Sequence, residues 1–545
     1  MSPPRDRTLV AVCSDLVEDD LPGRVAPEPM GGHPQDMVVG VVPGLCRRPD
    51  LAAEAVRSVG AHSAVVVVCG GGADLAAYRG WMRDETGPVP VEAIYAGPAA
   101  PRWPWLTGPR TAVARAVLAG KVARVRVHPR IAGGTVRPTE VGLLDVVRGG
   151  LGPPPASAAI NQARCLGSHC QLCLLSCHPG ALRAGPSGRA EVGARACDGC
   201  GACAVVCPAG AISVSGVSLA AISDEMGAIL ATLAPSPEHG PGRYGVLLHC
   251  STHSEDDSRL QWEVPADWVV LAVPCVTMVQ PGWLLALLAR GADAVGVLAC
   301  SHADGQMRGY VIRDRVEFSQ HVLHALGDVH ADRRVWVNGA VAPHGSQALP
   351  KLPDLEPLVP RRADLGRRVP LTEPAATADA IRLFASAIGT SMAWSITHRA
   401  SPAGTVELDV DKCTVCGACA RACPTNALSI DHGGGGWVMS WDGASCVPCG
   451  FCGAVCPEGA IRVDSRTDAT LLQVGRTVLL HDTTPVCPRC GRPMANPAMA
   501  DRLRERLGVD GIFLDAGVPR CPECDADVVT QVPLQPRLRV RPAGP

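Results

Sequence analysis

Aromatic side chains are scarce in this 545-residue chain: Phe, Tyr and Trp together make up 3% of it. Its cores must therefore be built from Ala, Val and Leu. Charge of one sign is missing too. Fifty Lys and Arg stand against 52 Asp and Glu, a net charge of −2, which gives no electrostatic reason to expect nucleic acid as a partner. No apolar run is long enough to span a bilayer, because the longest, 283–300, is interrupted by Arg290 and Asp293. The start, Met-Ser-Pro-Pro-Arg-Asp-Arg, carries neither an apolar signal segment nor a twin-arginine signal before one. There is no P-loop, no H-E-x-x-H, no G-x-S-x-G and no complete dinucleotide fingerprint. Disorder is excluded as well, since 47% of the residues are hydrophobic. A folded, multidomain, cytoplasmic protein without a direct membrane span is expected.

What is present in excess is cysteine, 26 residues in all. In a secreted protein they would suggest disulfides, but here they fall in short, ligand-spaced runs, the pattern of reduced, metal-bound thiolates. The most regular stretch is 413–457. It contains Cys413-x2-Cys416-x2-Cys419-x3-Cys423-Pro424 and Cys446-x2-Cys449-x2-Cys452-x3-Cys456-Pro457. Four thiolates at this spacing wrap a [4Fe–4S] cluster, and the fourth cysteine of each run ligates the cluster of the other run. Cys413, Cys416, Cys419 and Cys456 are thus expected to hold one cluster, and Cys446, Cys449, Cys452 and Cys423 a second. A pair of zinc sites or a disulfide knot is the alternative, but zinc modules use separated C-x2-C pairs. Over 406–466 the chain resembles a bacterial two-cluster ferredoxin.

A second eight-cysteine module spans 161–225. Its second run, Cys197-x2-Cys200-x2-Cys203-x3-Cys207-Pro208, is regular. Its first, Cys165-x4-Cys170-x2-Cys173-x3-Cys177-His178-Pro179, has a wider opening gap and a histidine before the proline. Exchange predicts Cys165, Cys170, Cys173 and Cys207 for one cluster and Cys197, Cys200, Cys203 and Cys177 for the other. His178 reads as a turn or hydrogen-bonding residue, since four cysteines already suffice.

Two α/β domains precede these modules, at 1–105 and 240–345. Valine-rich runs alternating with helices predict parallel sheets covered on both faces. In the first, strands are expected at 8–13, 37–46 and 64–69, with a helix at 51–59. In the second they are expected at 244–250, 268–275 and 294–300, with a helix at 281–290. Each predicted strand ends in cysteine: Cys13, Cys46 and Cys69, then Cys250, Cys275 and Cys300. That edge is where open α/β sheets place ligands, although free cysteine is also a common core residue. The stretches 51–69 and 283–300 share one order of helix, Gly-Ala, strand and cysteine. The intervals from Cys46 to Cys69 and from Cys275 to Cys300 are 23 and 25 residues. A duplicated unit, α/β domain then two-cluster module, is expected.

The landmarks Cys250, Pro274-Cys275 and Gly291-Ala-Asp-Ala-Val-Gly-Val-Leu-Ala-Cys300-Ser-His302 resemble the delta subunit of methyl-viologen-reducing hydrogenase over about 243–340. That family passes electrons between a hydrogenase and heterodisulfide reductase and holds a [2Fe–2S] cluster. The resemblance implies hydrogenase, flavin or heterodisulfide-reductase-like subunits as partners, together with a small electron carrier. Two cysteines usual in the family are replaced here, by His253 and near Gln306. Cys250, Cys275 and Cys300 with His253 or His302 could hold a [2Fe–2S] centre, since imidazole can replace thiolate. Alternatively the site has lost its cluster and kept a docking surface.

The remaining segments are connections and a small terminal domain. A Pro/Gly-rich connection covers 106–160, with a helix expected at 111–118 and a strand at 122–127. A charged linker and a helix from 375 to about 394 cover 346–405. At 467–535, Cys487-x2-Cys490 and Cys521-x2-Cys524 flank an expected helix at 500–507. Two such knuckles predict a closed, tetrahedral zinc ribbon; a rubredoxin-like iron site is the alternative. The cysteines then divide completely between four [4Fe–4S] quartets, one zinc site and two strand-end trios. The whole reads as an electron-transfer iron–sulfur subunit of a redox complex of the hydrogenase, heterodisulfide-reductase or formate-dehydrogenase kind. Two alternatives stand beside it: an iron–sulfur enzyme reducing a disulfide at Cys250, Cys275 and Cys300, and a redox sensor.

Overall fold

In a computed structural model of the chain, the described residues are 8–13, 37–42, 45, 50–59, 63–68, 91–95, 119, 158–233, 243–250, 267–298, 308–338, 358–359, 369–389, 393–433, 436–482, 487, 489–490 and 502, apart from 178, 194–196, 198, 215–218 and 274 within these ranges. The helix expected at 111–118, the strand at 122–127 and the helix at 500–507 lie outside the described residues, except for Arg502.

The N-terminal domain is a four-stranded parallel sheet of β1 (Thr8–Cys13), β2 (Met37–Val42), β3 (Ser63–Val68) and β4 (Val91–Tyr95), in the order β2-β1-β3-β4. Helix α1 (Asp50–Ser58) connects β2 to β3. It buries Ala52 and Val56, one turn apart, and exposes Glu54 and Arg57, as an amphipathic cover must.

The first cysteine-rich module follows. It comprises β5 (Ala158–Ile160), α2 (Leu172–Leu175), β6 (Leu182–Ala184), β7 (Ala190–Val192), α3 (Ala202–Val205) and β8 (Ile212–Val214). Strand β5 pairs antiparallel with β8, and β6 with β7. Helix α4 (Leu219–Leu233) leads into the central α/β domain.

The central domain repeats the N-terminal topology. Strands β9 (Gly245–Cys250), β10 (Trp268–Val273), β11 (Ala294–Leu298) and β12 (Val335–Asn338) form a parallel sheet in the order β10-β9-β11-β12. The register repeats too: Cys13 at the end of β1 lies opposite Val42, and Cys250 at the end of β9 lies opposite Val273. Helices α5 (Pro281–Ala289), α6 (Arg308–Ala325) and α7 (Ala331–Arg334) complete it. Every residue of α5 is buried, which explains its lack of a polar face. Arg290, which interrupts the long apolar run, pairs with Asp379 at 2.7 Å. One expected strand is shorter at its C-terminal end, β10 stopping at Val273. Cys275 instead caps the 3₁₀ turn Val276–Met278, and Cys300 lies outside the described residues.

The end of the expected linker belongs to this core. Val369 and Leu371 are buried, and helix α8 (Ala375–Ile388) packs along α5. Ser223 donates to the Val369 carbonyl at 2.7 Å, and the Trp283 indole to Leu371 at 2.8 Å. The helix stops at Ile388 rather than near 394, because Gly389 turns left-handed with φ 66° and its N–H returns to Ala385.

The second cysteine-rich module contains β13 (Ser395–Thr397), β14 (Thr405–Leu408), α9 (Ala418–Ala422), β15 (Leu428–Gly433), β16 (Gly436–Asp442), α10 (Phe451–Ala454), β17 (Ile461–Asp464), β18 (Arg466–Asp468), α11 (Ala469–Val474) and β19 (Arg476–Asp482). Its ladders β13–β18, β14–β17 and β15–β16–β19 are all antiparallel. No described helix is long and apolar enough to cross a membrane.

Candidate metal centres

Each cysteine run is a tight loop opening a very short helix. The sequence Cys-Gly at the second cysteine sets the loop in three of the four runs. Gly201, Gly417 and Gly450 precede α3, α9 and α10 with φ of 76°, 75° and 77°, a conformation costly to any residue with a Cβ. The first run has Gln171 there, and its backbone takes φ −123° instead. The first run thus departs in loop shape as well as in spacing. Val415 adds an unusual left-handed residue, φ 53°, just before Cys416.

The fold brings distant runs together. Cys413, Cys416 and Cys419 line one pocket with Cys456 of the following run. Cys165, Cys170 and Cys173 line another with Cys207. The other two groups are electrostatic neighbours: Cys203 feels Cys200, Cys177 and Cys197, and also Cys173 of the adjoining quartet, and Cys446 feels Cys423, Cys452 and Cys449.

A third element of these sites was not singled out from the sequence. The fourth cysteine of each run opens a turn with a left-handed residue three positions on, Gly180, Gly210, Asn426 and Gly459, followed by an alanine. In three of these turns the alanine N–H donates to the cysteine sulfur: Ala181 to Cys177 and Ala211 to Cys207 at 3.2 Å, Ala460 to Cys456 at 3.3 Å. The Ala158 N–H also donates to Cys197 at 3.4 Å. The recurring Cys-x-x-Gly/Asn-Ala was the available signal. The sequence spacing from Cys177 to Gly180 equals that from Cys207 to Gly210, so His178 adds no residue to it.

The donor chemistry fits iron–sulfur clusters. Left as thiols, the more buried of these groups resist ionisation. Burial, with neighbouring thiols adding, pushes Cys173 and Cys203 up to about 12 and Cys419 up to about 11. Gathering four thiolates requires a positive centre among them. Backbone N–H groups aimed at sulfur then stabilise the charge that remains. Among the described residues, no three His, Cys, Asp or Glu side chains converge as closely as a single ion requires. Two of the quartets line pockets rather than one point, as a multi-atom cluster demands.

The central domain presents Cys250 and Cys275, both buried. Thr277 Oγ1 lies 3.2 Å from the Cys275 sulfur. Arg315, half-buried, donates to the Thr277 and Val279 carbonyls at 2.6 and 2.8 Å and fixes this turn. Burial lowers its pKa to about 10. Strands β9 and β11 are adjacent, with strand order reversing beside them, so Cys250 sits at the kind of crevice where doubly wound sheets bind ligands. Cys46, Cys69, Cys300, His253 and His302 lie outside the described residues, and only the backbone of Cys13 is described. Of the terminal knuckles, Cys487 is buried and Cys490 exposed, while Cys521 and Cys524 are outside the described residues.

Comparison with known families agrees with this organisation. Residues 249–349 match the family described as methyl-viologen-reducing hydrogenase, delta subunit. Residues 412–461 match a 4Fe-4S dicluster domain, and 191–213 a 4Fe-4S binding domain. The latter match covers the regular run from Cys197 and not the wider-spaced run from Cys165. No curated protein matches the chain. The chain is a fusion of a hydrogenase delta-subunit-like domain with ferredoxin-type domains, and its role is iron–sulfur electron transfer.

Proposed function

We propose that this chain is the electron-transfer subunit of a redox complex of the hydrogenase, heterodisulfide-reductase or formate-dehydrogenase kind, and that its sixteen module cysteines hold four [4Fe–4S] clusters. When bound, such clusters change by one electron with little rearrangement. The observation that carries the reading is the gathering of three cysteines of one run with the fourth of the other around a single pocket, seen for Cys413, Cys416, Cys419 and Cys456. The same partition in the first module assigns Cys165, Cys170, Cys173 and Cys207 to one cluster and Cys177, Cys197, Cys200 and Cys203 to another. Cys423, Cys446, Cys449 and Cys452 take the last. The N-terminal and central α/β domains are read as a duplicated unit, supported by their common strand order and register. They would dock a catalytic or flavin subunit, while the modules serve a small electron carrier. Cys487, Cys490, Cys521 and Cys524 are proposed to bind one structural zinc ion, and Cys250, Cys275 and Cys300 to form a [2Fe–2S] or docking site.

Direct reduction of a disulfide by Cys250 and Cys275 is the weaker reading, because the two side chains are 1% and 0% exposed. The test is anaerobic analysis of the reconstituted chain. About sixteen irons in cubane centres are expected, with a little more if the strand-end cysteines also bind. Four or fewer irons after reconstitution with ferrous iron and sulfide would overturn the assignment.

A further inference from the structure

Each module gathers one quartet around a pocket, and the two pockets meet the surface differently. Leu166 lines the first pocket together with Cys165, Cys170, Cys173 and Cys207. It is also 43% exposed, so one large apolar side chain joins the quartet to solvent. A single exposed leucine is ordinary on a protein surface. This one is set apart by its neighbours.

Two arginines flank it. Arg164 is exposed, and its guanidinium lies over the turn that follows Cys207: a Cβ at Gly210 would stand 3.4 Å from Nη2. Arg189 is exposed too, with its Cγ 3.5 Å from where a Cβ at Gly167 would stand, next to Leu166. Hydrogen bonds fix both positions. Asn161 Oδ1 accepts the Ala163 and Arg164 N–H groups at 3.0 and 3.3 Å. The Asn161 N–H donates to the carbonyl of Ala211, a pocket residue, at 2.8 Å. Gln162 donates to the Ala190 carbonyl, beside Arg189, at 2.9 Å. Arg183 pairs with Glu191 at 3.8 Å, but among the described residues no carboxylate pairs with Arg164 or Arg189. The surplus of positive charge runs through the module, since 158–214 contains four Arg against one Glu and one Asp.

The second pocket has the opposite balance. The stretch 395–482 contains six Lys and Arg against nine Asp and Glu. Charges at that pocket are also already matched. Glu458, in its lining, accepts from Arg502 at 2.8 Å, and Asp409 pairs with Lys412 at 2.6 Å.

We propose that Arg164, Leu166 and Arg189 form the docking site at which an acidic one-electron carrier protein meets the quartet of Cys165, Cys170, Cys173 and Cys207. The proposal rests on the cluster assignment above and adds which quartet the carrier meets and what charge the carrier bears. The arginines attract and orient an acidic face, an effect that salt screens because both are exposed. Leu166 supplies an apolar contact directly over the pocket. One electron passes between the carrier and the centre held by the quartet. The giver is oxidised by one, the receiver is reduced by one, and no bond breaks and no proton moves.

The test is calorimetric titration of the full-length, reconstituted chain with an acidic two-cluster bacterial ferredoxin, oxidised so that no electron passes. Binding should weaken as salt is raised from about 0.02 to about 0.3 M. Arg164→Glu with Arg189→Glu should weaken it about tenfold at low salt. Arg164→Lys with Arg189→Lys keeps the charge and should change it by about twofold at most. The equal reversal at the other pocket, Lys412→Glu with Arg421→Glu, should likewise change it by about twofold at most. Hydrogen exchange of the unsubstituted chain in the complex should show new protection at 163–168 and none at 413–417, which locates the site even if a variant fails to fold. Binding indifferent to salt, protection at the second pocket instead, or equal losses from the two charge reversals would overturn the proposal. Iron content of the same samples keeps the two readings apart. A chain without cubane centres that still protects 163–168 overturns the cluster assignment alone. A chain with four clusters that fails to bind overturns the docking site alone.

Discussion

Cys446 sets the problem that the buried module thiols pose. It is buried, and burial together with the Cys423, Cys452 and Cys449 sulfurs pushes its pKa up to about 12. Cys173 and Cys203 are raised to about 12 in the same way, and Cys419 and Cys452 to about 11, from an ordinary value of 9.0. A folded, metal-free module therefore holds protons that the unfolded chain releases once pH passes 9. The folded state binds more protons there, so unfolding becomes easier as pH rises. Its stability is fully present below pH 9 and is lost progressively up to about pH 12. Urea unfolding of metal-free chain at neutral and alkaline pH should show this fall, and reconstituted chain should not, because its ligands are already deprotonated. A flat profile for the metal-free chain would contradict the burial argument. The cysteines themselves were fully legible in the sequence, because ligand spacing is local. The Ala181, Ala211 and Ala460 N–H donors were not, because a backbone donor leaves no chemical mark on its side chain. Only the repeated left-handed residue before each alanine betrays them.

At the scale of elements, the least legible feature is the packing of α8 on α5. A proline-rich, charged stretch reads as a linker, yet one residue in it joins two helices. Glu373 accepts the Gly282 N–H at 2.6 Å with one oxygen and the Thr377 N–H at 3.1 Å with the other. It so satisfies the first turn of α5 and of α8 together, where a carboxylate is also favoured by the helix dipoles. Burial raises its pKa, and these hydrogen bonds and Arg315 oppose the rise. Gly282 is required by the same contact: a Cβ there would run into Ala376 and the Glu373 carboxylate. Removing one partner of a half-buried, charged network leaves the others unpaired. Glu373→Ala should therefore cost about 3 kcal/mol of stability, measured by urea unfolding of the full chain. A loss within about 0.5 kcal/mol, the range of an ordinary surface substitution, would show that water replaces the carboxylate without penalty. The parallel strands, by contrast, were readable as valine runs, since strands buried on both faces need no alternation. Their ends were not. Strand β10 stops at Val273 because residues 276–278 tighten into a 3₁₀ turn held by Arg315, through contacts 38 and 36 residues away in sequence.

At the scale of the molecule, the central α/β domain is the hub. One continuous core runs through its sheet, α4, α5, α6 and α8, and takes in Val205 of the first module and Ala403, Ala469 and Leu472 of the second. Polar contacts reinforce the second junction: Arg399 pairs with Asp314, and the His398 ring meets His321 edge-on at 5.5 Å between centroids. The modules themselves have small cores in which cysteines are a large share, including Cys173 and Cys203 in one and Cys419, Cys446 and Cys452 in the other. Such cores bury little hydrocarbon, so the metal must supply much of their folding energy. The hub has no such need, because Trp268, Trp283, Phe318 and Phe384 are all buried within it. Stripping iron with a chelator under reducing conditions should thus act unevenly. In low urea the chelated chain should expose Trp441 of the second module while Trp268 and Trp283 stay buried, giving a partial red shift of tryptophan emission that reverses on reconstitution. Hydrogen exchange should resolve the same boundary, with protection weakened at β14–β17 and retained in β9–β11. Complete loss of protection in β9–β11 on iron removal would mean that the central domain depends on the clusters for its own fold, and that the joint core transmits their loss rather than containing it.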